Sequence, residues 1–305
     1  AVRSLQGDLI VATATRRRPD IVLSMSPPLT LGPAGWVTGA LRRVPLVFNI
    51  QDVFPDAAVR TGAITNRRVI ALAERLERVS YHRAAAITVL SDDLRRNVAG
   101  KVRPAVRDRV HVIANFVDTD VIRPSDRMTQ YRAELGIGSG PVVLYAGNVG
   151  FSQALDLVIA AARRCPDIAF VINGDGAARA NLEVVAAGLA NVYFAGSQLL
   201  ERPSGVLAPG YVHVVPLRAG LGDVSVPSKT YSSLAAGRPV VAAIDLDSEI
   251  PRLLAASGGG LTVPPDDVDP LVHALRSLLD DPARAQAIGA AGRAWVEREA
   301  SPASV

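Results

Sequence analysis

The chain has 305 residues, 49% hydrophobic and 20% charged, which excludes intrinsic disorder and leaves length for two α/β units. Its 33 basic and 29 acidic side chains are unevenly spread, with 18 and 11 in residues 1–120 and 15 and 18 in the remainder. A basic N-terminal part suits an anionic partner, but aromatics are only 5% and do not interleave with the arginines, which argues against nucleic acid. The one cysteine, Cys165, excludes an intrachain disulfide and a Cys-rich metal centre, and makes a reducing compartment the default. Four scattered histidines offer no pair at metal-ligand spacing.

The opening Ala-Val-Arg-Ser carries no visible secretory signal. The charge-free run 21–41 is long enough to span a bilayer, but Pro27, Pro28, Gly32, Pro33, Gly35 and Gly39 interrupt it, so it reads as strand, loop and short helix. Strands are predicted at 21–25, 46–50, 86–90, 110–114, 142–146, 168–172, 192–194, 213–215, 240–244 and 261–263. Helical periods fill the gaps. The clearest, 67–83, aligns Val69, Leu72, Leu76 and Val79 in one stripe, with Arg68, Arg75 and Arg78 off it. The segments 153–164, 267–280 and 281–299 read similarly. Near-continuously apolar strands alternating with helices predict parallel sheets covered on both faces. A polar run at 119–128 and a turn cluster at 136–141 divide the chain into domains 1–124 and 125–305, read as two Rossmann-like halves facing across a cleft. The first offers four strands and no glycine-rich βα turn at its start, so its opening strands are expected to be absent.

No P-loop and no strict G-x-G-x-x-G follows a strand, and Asn173-Gly174-Asp175-Gly176 reads as a structural turn. Two strand-to-helix junctions carry more. In 144–153, Gly147 and Gly150 let the backbone turn before a helix opens near Ser152, an arrangement that favours anionic oxygens. In 220–229, Pro227 suits a helix start, Ser225 or Ser228 could cap it, and Lys229 falls in the first turn. A cation there opposes the helix dipole unless an anion lies nearby, and a diphosphate would remove the conflict. An exposed Lys229 without consequence is the bland alternative.

The run 225–241 (Ser-Val-Pro-Ser-Lys-Thr-Tyr-Ser-Ser-Leu-Ala-Ala-Gly-Arg-Pro-Val-Val) resembles the donor-site signature of retaining glycosyltransferases of family four, which have the GT-B fold. So do 144–156, 112–118 and 258–265, and the likeness covers roughly residues 20–298. Asn49-Ile50-Gln51-Asp52-Val53-Phe54-Pro55 and 148–153 resemble the colanic-acid and O-antigen branch, fucosyl- and N-acetylfucosaminyltransferases acting on lipid-linked sugars. Several positions depart from the family pattern. Val224 and Ser232 stand where two glutamates are usual, Asn148 and Gln153 where an Arg and a Lys grip the diphosphate, and Gln51 where a His faces the acceptor. The family's glycine-rich loop near the N-terminus has no counterpart.

The resemblance implies transfer of a sugar from a UDP- or GDP-linked donor to a polyprenyl-diphosphate-linked glycan. The work is metal-independent, in the cytoplasm or at the inner face of the plasma membrane, where an anionic lipid surface is a further partner. It gives Lys229 and the main chain of Ser225, Pro227 and Ser228 the diphosphate, with Arg218 as a second cation, and counts Gly147 among the donor-binding residues. Asn148 and Gln153 bond phosphate or sugar oxygens, Ser232 the ribose, and the backbone of Gly196, Ser197 and Gln198 the base. Gln51 and Asp52 belong to the acceptor side, with Asp52 as candidate base or, equally, a turn carboxylate. Arg67, Arg68, Arg75 and Arg78 face anionic lipid or solvent. The alternatives are a sugar-nucleotide 2-epimerase, disfavoured by the poverty of His and Glu, and a non-catalytic nucleotide-binding chain.

Overall fold

A computed structural model describes residues 19–198 and 202–305, so the expected opening of the first domain lies outside the described residues. The first unit comprises the described chain up to Ala114 together with Asp223–Val226. Its strands β1 (Val22–Ser26), β2 (Leu46–Ile50), β3 (Ala86–Val89) and β4 (Val110–Val112) run parallel in the order β1-β2-β3-β4. Helices α1 (Leu31–Arg42), α2 (Arg67–Arg83) and α3 (Asp92–Lys101) return the chain between them. The run 21–41 is thus strand, turn and helix, as its prolines and glycines require.

Local chemistry starts these helices where they start. The Asn66 side chain accepts the amides of Arg68 and Val69 ahead of α2, and the Ser91 hydroxyl accepts that of Leu94 ahead of α3. The buried face of α2, however, is not the predicted stripe. Val69 and Leu72 are 48% and 59% exposed, and the helix buries Ala73, Glu77, Ser80 and Tyr81 instead. Small residues decide this. A Cβ on Gly32 of α1 would stand 2.3 Å from the Ser80 hydroxyl, so α1 closes on Ser80 where bulkier side chains would hold it off. Glu77 goes inside because Tyr81 and Lys101 each give it a hydrogen bond of 2.8 Å, and Lys101 also reaches Asp56 at 2.6 Å. Burial lifts the Glu77 carboxyl above its ordinary range against the pull of Lys101.

The second unit, 115–222 and 227–305, contains β5 (Val142–Ala146), β6 (Ala169–Asn173), β7 (Val192–Ala195), β8 (Val212–Pro216), β9 (Val240–Ala243) and β10 (Gly260–Val263). All pairs are parallel, in the order β10-β9-β8-β5-β6-β7. Its helices include α4 (Leu155–Arg164), α5 (Arg179–Val185), α6 (Lys229–Ala235), α7 (Glu249–Ser257), α8 (Val268–Leu279) and α9 (Pro282–Glu299). Every residue of β5, β8 and β9 is buried, because α4 and α8 cover one face while, on the other, Tyr131, Ile137, Val206 and Leu207 cover β5 and α6 covers β8 and β9. The chain leaves β5 in one direction and returns through β8 on its other side, a doubly wound order with its switch point between these strands. The division falls after Ala114 rather than after Pro124, since the intervening residues bond within the second unit. Val117 donates to the Ala300 carbonyl at 2.9 Å, and Arg293 donates to those of Thr119 and Ile122 at 2.9 and 2.6 Å.

Two details set the geometry of this unit's loops and core. The exits of β5 and β6 touch through main chain: Gly147 and Val149 donate to the carbonyls of Asn173 and Asp175, each at 2.9 Å. Gly174 has φ +147, and a Cβ on it would lie 1.8 Å from the Gly147 oxygen. Under α6, His213 is wholly enclosed. One ring nitrogen donates to the Leu207 carbonyl at 2.9 Å and the other meets the Ser233 hydroxyl at 2.8 Å.

Gly174→Ala is therefore expected to cost more than about 2 kcal/mol in thermal or denaturant unfolding. Gly205→Ala, where a Cβ meets nothing within 4 Å, is the near-neutral control. Burial holds the His213 imidazole at about 3, against an ordinary 6.5, so it folds neutral while the unfolded chain protonates it. Its contribution is complete above pH 6.5 and drains away as pH falls from there toward 3, by up to ~1.4 kcal/mol per unit. Calorimetric midpoints against pH should show this acid slope flatten in His213→Gln.

Candidate functional site

The switch point of the second sheet gathers three strand exits, and its residues assemble from the backbone outward. Tyr145, buried in β5, donates its hydroxyl to the Asn148 carbonyl and curls the loop beyond the strand. Burial pushes its phenol up, so the group stays a donor. Gly147 then turns with φ +151, and the space its missing side chain leaves is taken by Lys229. The Lys229 Cε lies 2.9 Å from where a Cβ of Gly147 would stand, and its ammonium 5.3 Å from the Tyr145 ring centroid. The first residue of α6 thus reaches back over the carboxyl end of β5.

Asn148 and Gln153 fold in over Gly150. The Gln153 side-chain oxygen accepts the Gly150 amide at 3.0 Å, and the Asn148 Nδ2 lies 2.8 Å from the place of a Gly150 Cβ. Arg218 lies alongside the same loop. Its guanidinium donates to Asp156 at 2.8 Å and to the Phe151 carbonyl at 3.0 Å, and its amide to the Ser152 carbonyl at 3.0 Å. Here the Arg218 guanidinium is paired with Asp156 and braces the loop.

The start of α6 also differs from expectation. Ser228 stands at the cap position, exposed, yet its hydroxyl accepts no amide, because the Thr230 and Tyr231 amides already donate to the Pro227 and Ser228 carbonyls at 3.1 Å. Pro227 is buried, and Ser232, half-buried, follows Lys229 by three positions on the same side of the helix. Ser225 belongs to the first unit, where it forms an isolated antiparallel bridge with Asp52 beside the Val53-to-Val224 hydrogen bond of 2.8 Å. Val224, where the family pattern has a carboxylate, is fully buried there.

After β7, the exposed main chain of Gly196 and Ser197 is held from beneath. The buried Asn173 donates to the Gly196 carbonyl at 2.9 Å, and Asp175 accepts the Ser197 amide at 3.0 Å. The Gln198 side chain accepts from Arg202 at 3.0 Å. Asn173 and Asp175 form more than a turn, since both also act as positioning residues. Asp245 stands in no motif of the sequence, yet its carboxylate accepts the Gly220 and Gly222 amides at 3.0 Å and shapes the loop ahead of α6. Its one signal in the sequence is a polar residue closing an apolar strand, as with Asn173 and Asp175.

In the first unit, Gln51 and Asp52 follow the carboxyl end of β2, half-buried. The Gln51 side-chain amide donates to Asn49, which donates to the Thr88 hydroxyl at 2.9 Å. Among the described residues no cluster of His, Cys, Asp and Glu could hold a metal ion, and no helix is long and apolar enough to cross a membrane.

Two family models match successive parts of the chain: a glycosyl transferase 4-like domain at residues 2–115 and glycosyl transferases group 1 at residues 140–281. The chain is 28% identical over 280 residues to WcaI of Escherichia coli, named as a colanic acid biosynthesis glycosyl transferase, covering 87% of this chain and 67% of that protein. It is 31% identical over 268 residues to WbjE of Pseudomonas aeruginosa, named as a glycosyltransferase, covering 84% and 65%. The chain thus spans about two thirds of the length of these relatives. HepE of Anabaena, solved in complex with UDP-glucose, shares the fold with a TM-score of 0.77 at 16% identity, over 99% of this chain and 80% of that one. With both halves matched in order and the doubly wound second sheet in place, the chain belongs to the GT-B glycosyltransferases of family four.

Proposed function

We propose that the chain transfers a sugar, with retention, from a UDP- or GDP-linked donor to a lipid-linked glycan in the biosynthesis of a cell-surface polysaccharide. One observation carries this reading: the Lys229 ammonium lies over Gly147 and Tyr145 at the switch point, the place where doubly wound sheets bind ligands. A cation preset there offsets the charge that gathers on a departing diphosphate, and costs no rearrangement as the sugar leaves. Asn148 and Gln153 offer amide groups to phosphate or sugar oxygens, and the Ser232 hydroxyl lies one turn along α6 for the ribose. The braced main chain of Gly196–Gln198 meets the base, which suits recognition without a base-specific side chain. Asp52, with Gln51 beside it, is assigned the acceptor hydroxyl and its proton.

The colanic-acid and O-antigen branch is the proposed setting, supported by the motif at 49–55 and by the likeness to WcaI. HepE, whose structure holds UDP-glucose, supports a uridine or related nucleotide as the donor's carrier. The proposed location is the cytoplasm, at the inner face of the plasma membrane where a polyprenyl-linked acceptor would lie.

Calorimetric titration with UDP and GDP tests the donor assignment. One nucleotide should bind, and Lys229→Ala should weaken it about tenfold or more, the ~1.5–3 kcal/mol of a charge-assisted contact. An unchanged affinity would remove Lys229 from the site. Gly147→Ala places a methyl on the lysine's path at a φ that L-residues rarely adopt, and is expected to lower the same affinity by about three- to tenfold while the chain stays folded by circular dichroism.

A further inference from the structure

The first unit carries a second feature with a chemistry of its own, independent of the donor reading. An open groove of about 820 Å³ lies along the second half of α2 and the end of α3, lined by Trp36, Arg75, Arg78, His82, Arg83 and Arg103 among others. Because α2 and α3 run back toward the amino ends of β3 and β4, the groove lies away from the carboxyl edge that bears Gln51 and Asp52.

Among the described residues, every charged side chain lining it is a cation. Lys101, also in its wall, is bonded to the buried Glu77 and the half-buried Asp56, so its charge is committed to them and the cationic character of the groove rests on the arginines. Glu74 approaches Arg78 only at 3.9 Å, on the surface. The Arg83 guanidinium is held over the Trp36 ring at 4.6 Å, which fixes a planar donor at one end. His82 donates its Nδ1–H to the Arg78 carbonyl at 2.7 Å, leaving Nε2 a buried atom with no hydrogen-bond partner. Crowding like charges in a concavity raises its potential, and an anion placed there collects the unused donors.

We propose that this groove is a second anion site that takes a phosphate group, carried either by a soluble phosphate compound or by a phospholipid head group. Arginine forks at Arg75, Arg78 and Arg103 match phosphate oxygens, and Trp36 and Val79 offer an apolar wall to whatever bears the phosphate.

The test compares the full chain with Arg75→Glu/Arg78→Glu in two arms: calorimetry with inorganic pyrophosphate, and co-sedimentation with phosphatidylcholine vesicles containing phosphatidylglycerol. Binding in either arm that falls about tenfold or more in the double variant, and weakens as salt rises, establishes the site, and the responding arm names the source. The variant should keep the wild-type affinity for UDP, which shows that it is folded and separates this site from the donor site. Pyrophosphate binding that Lys229→Ala abolishes and the double variant leaves intact would belong to the donor site and overturn the proposal. Silence in both arms would overturn it too, whatever becomes of the nucleotide.

Discussion

The second unit is organised by a contact that only missing side chains permit. Gly147 and Gly174 bring the exits of β5 and β6 to main-chain distance, so each loop completes the other's hydrogen bonds. That fixes where Asn148 begins its turn and where Asp175 can reach the Ser197 amide, and it opens the slot into which Lys229 lies. A methyl group on Gly174 would collide with the Gly147 oxygen and separate the loops, and one on Gly147 would stand in the path of Lys229. The loops are thus ordered by the backbone, and the side chains decorate a frame already set.

Charge in this protein goes mostly to bracing. Arg218 is held by Asp156 and a loop carbonyl, Arg293 spans carbonyls of Thr119, Ile122 and Ala235, and the buried Arg132 donates to the carbonyls of Gly138 and Gly140. Arg238 is buried deeply enough that desolvation, with Arg127 nearby, brings it down to about 10. A guanidinium suits such duty because its planar fork of donors can satisfy several loop carbonyls at once, where an ammonium acts as a point charge. Arginine content by itself is therefore no direct guide to ligand binding. What distinguishes the groove beside α2 is the gathering, among the described residues, of cations without carboxylates in a shared concavity.

The ten strands among the described residues were legible because most are short β-branched or apolar runs bounded by polar or glycine-rich turns, and burial in a parallel sheet demands that pattern. The face of α2 was not. Its leucine and valine stripe and its small-residue face both follow a helical period, and hydrophobicity alone favours the former. The choice went to Ala73, Ser80 and Glu77 because α1 approaches through glycine and Lys101 supplies a charge to match. Periodicity reports that a helix has a preferred side; it carries no information on how near the neighbouring helix comes.

The same division runs through the site. The sequence by itself determined the two α/β units, the strand-to-helix junctions at 144–153 and 220–229, and the family whose donor motif Lys229 completes, because these depend on local composition and spacing. Only the tertiary structure decided that Arg218 is tied to Asp156, that Ser228 leaves its helix uncapped, and that Asn173, Asp175 and Asp245 hold the loops. The physical reason is that a hydrogen-bonding group serves whichever partner the fold brings within about 3 Å, and those partners are separated along the chain by tens of residues.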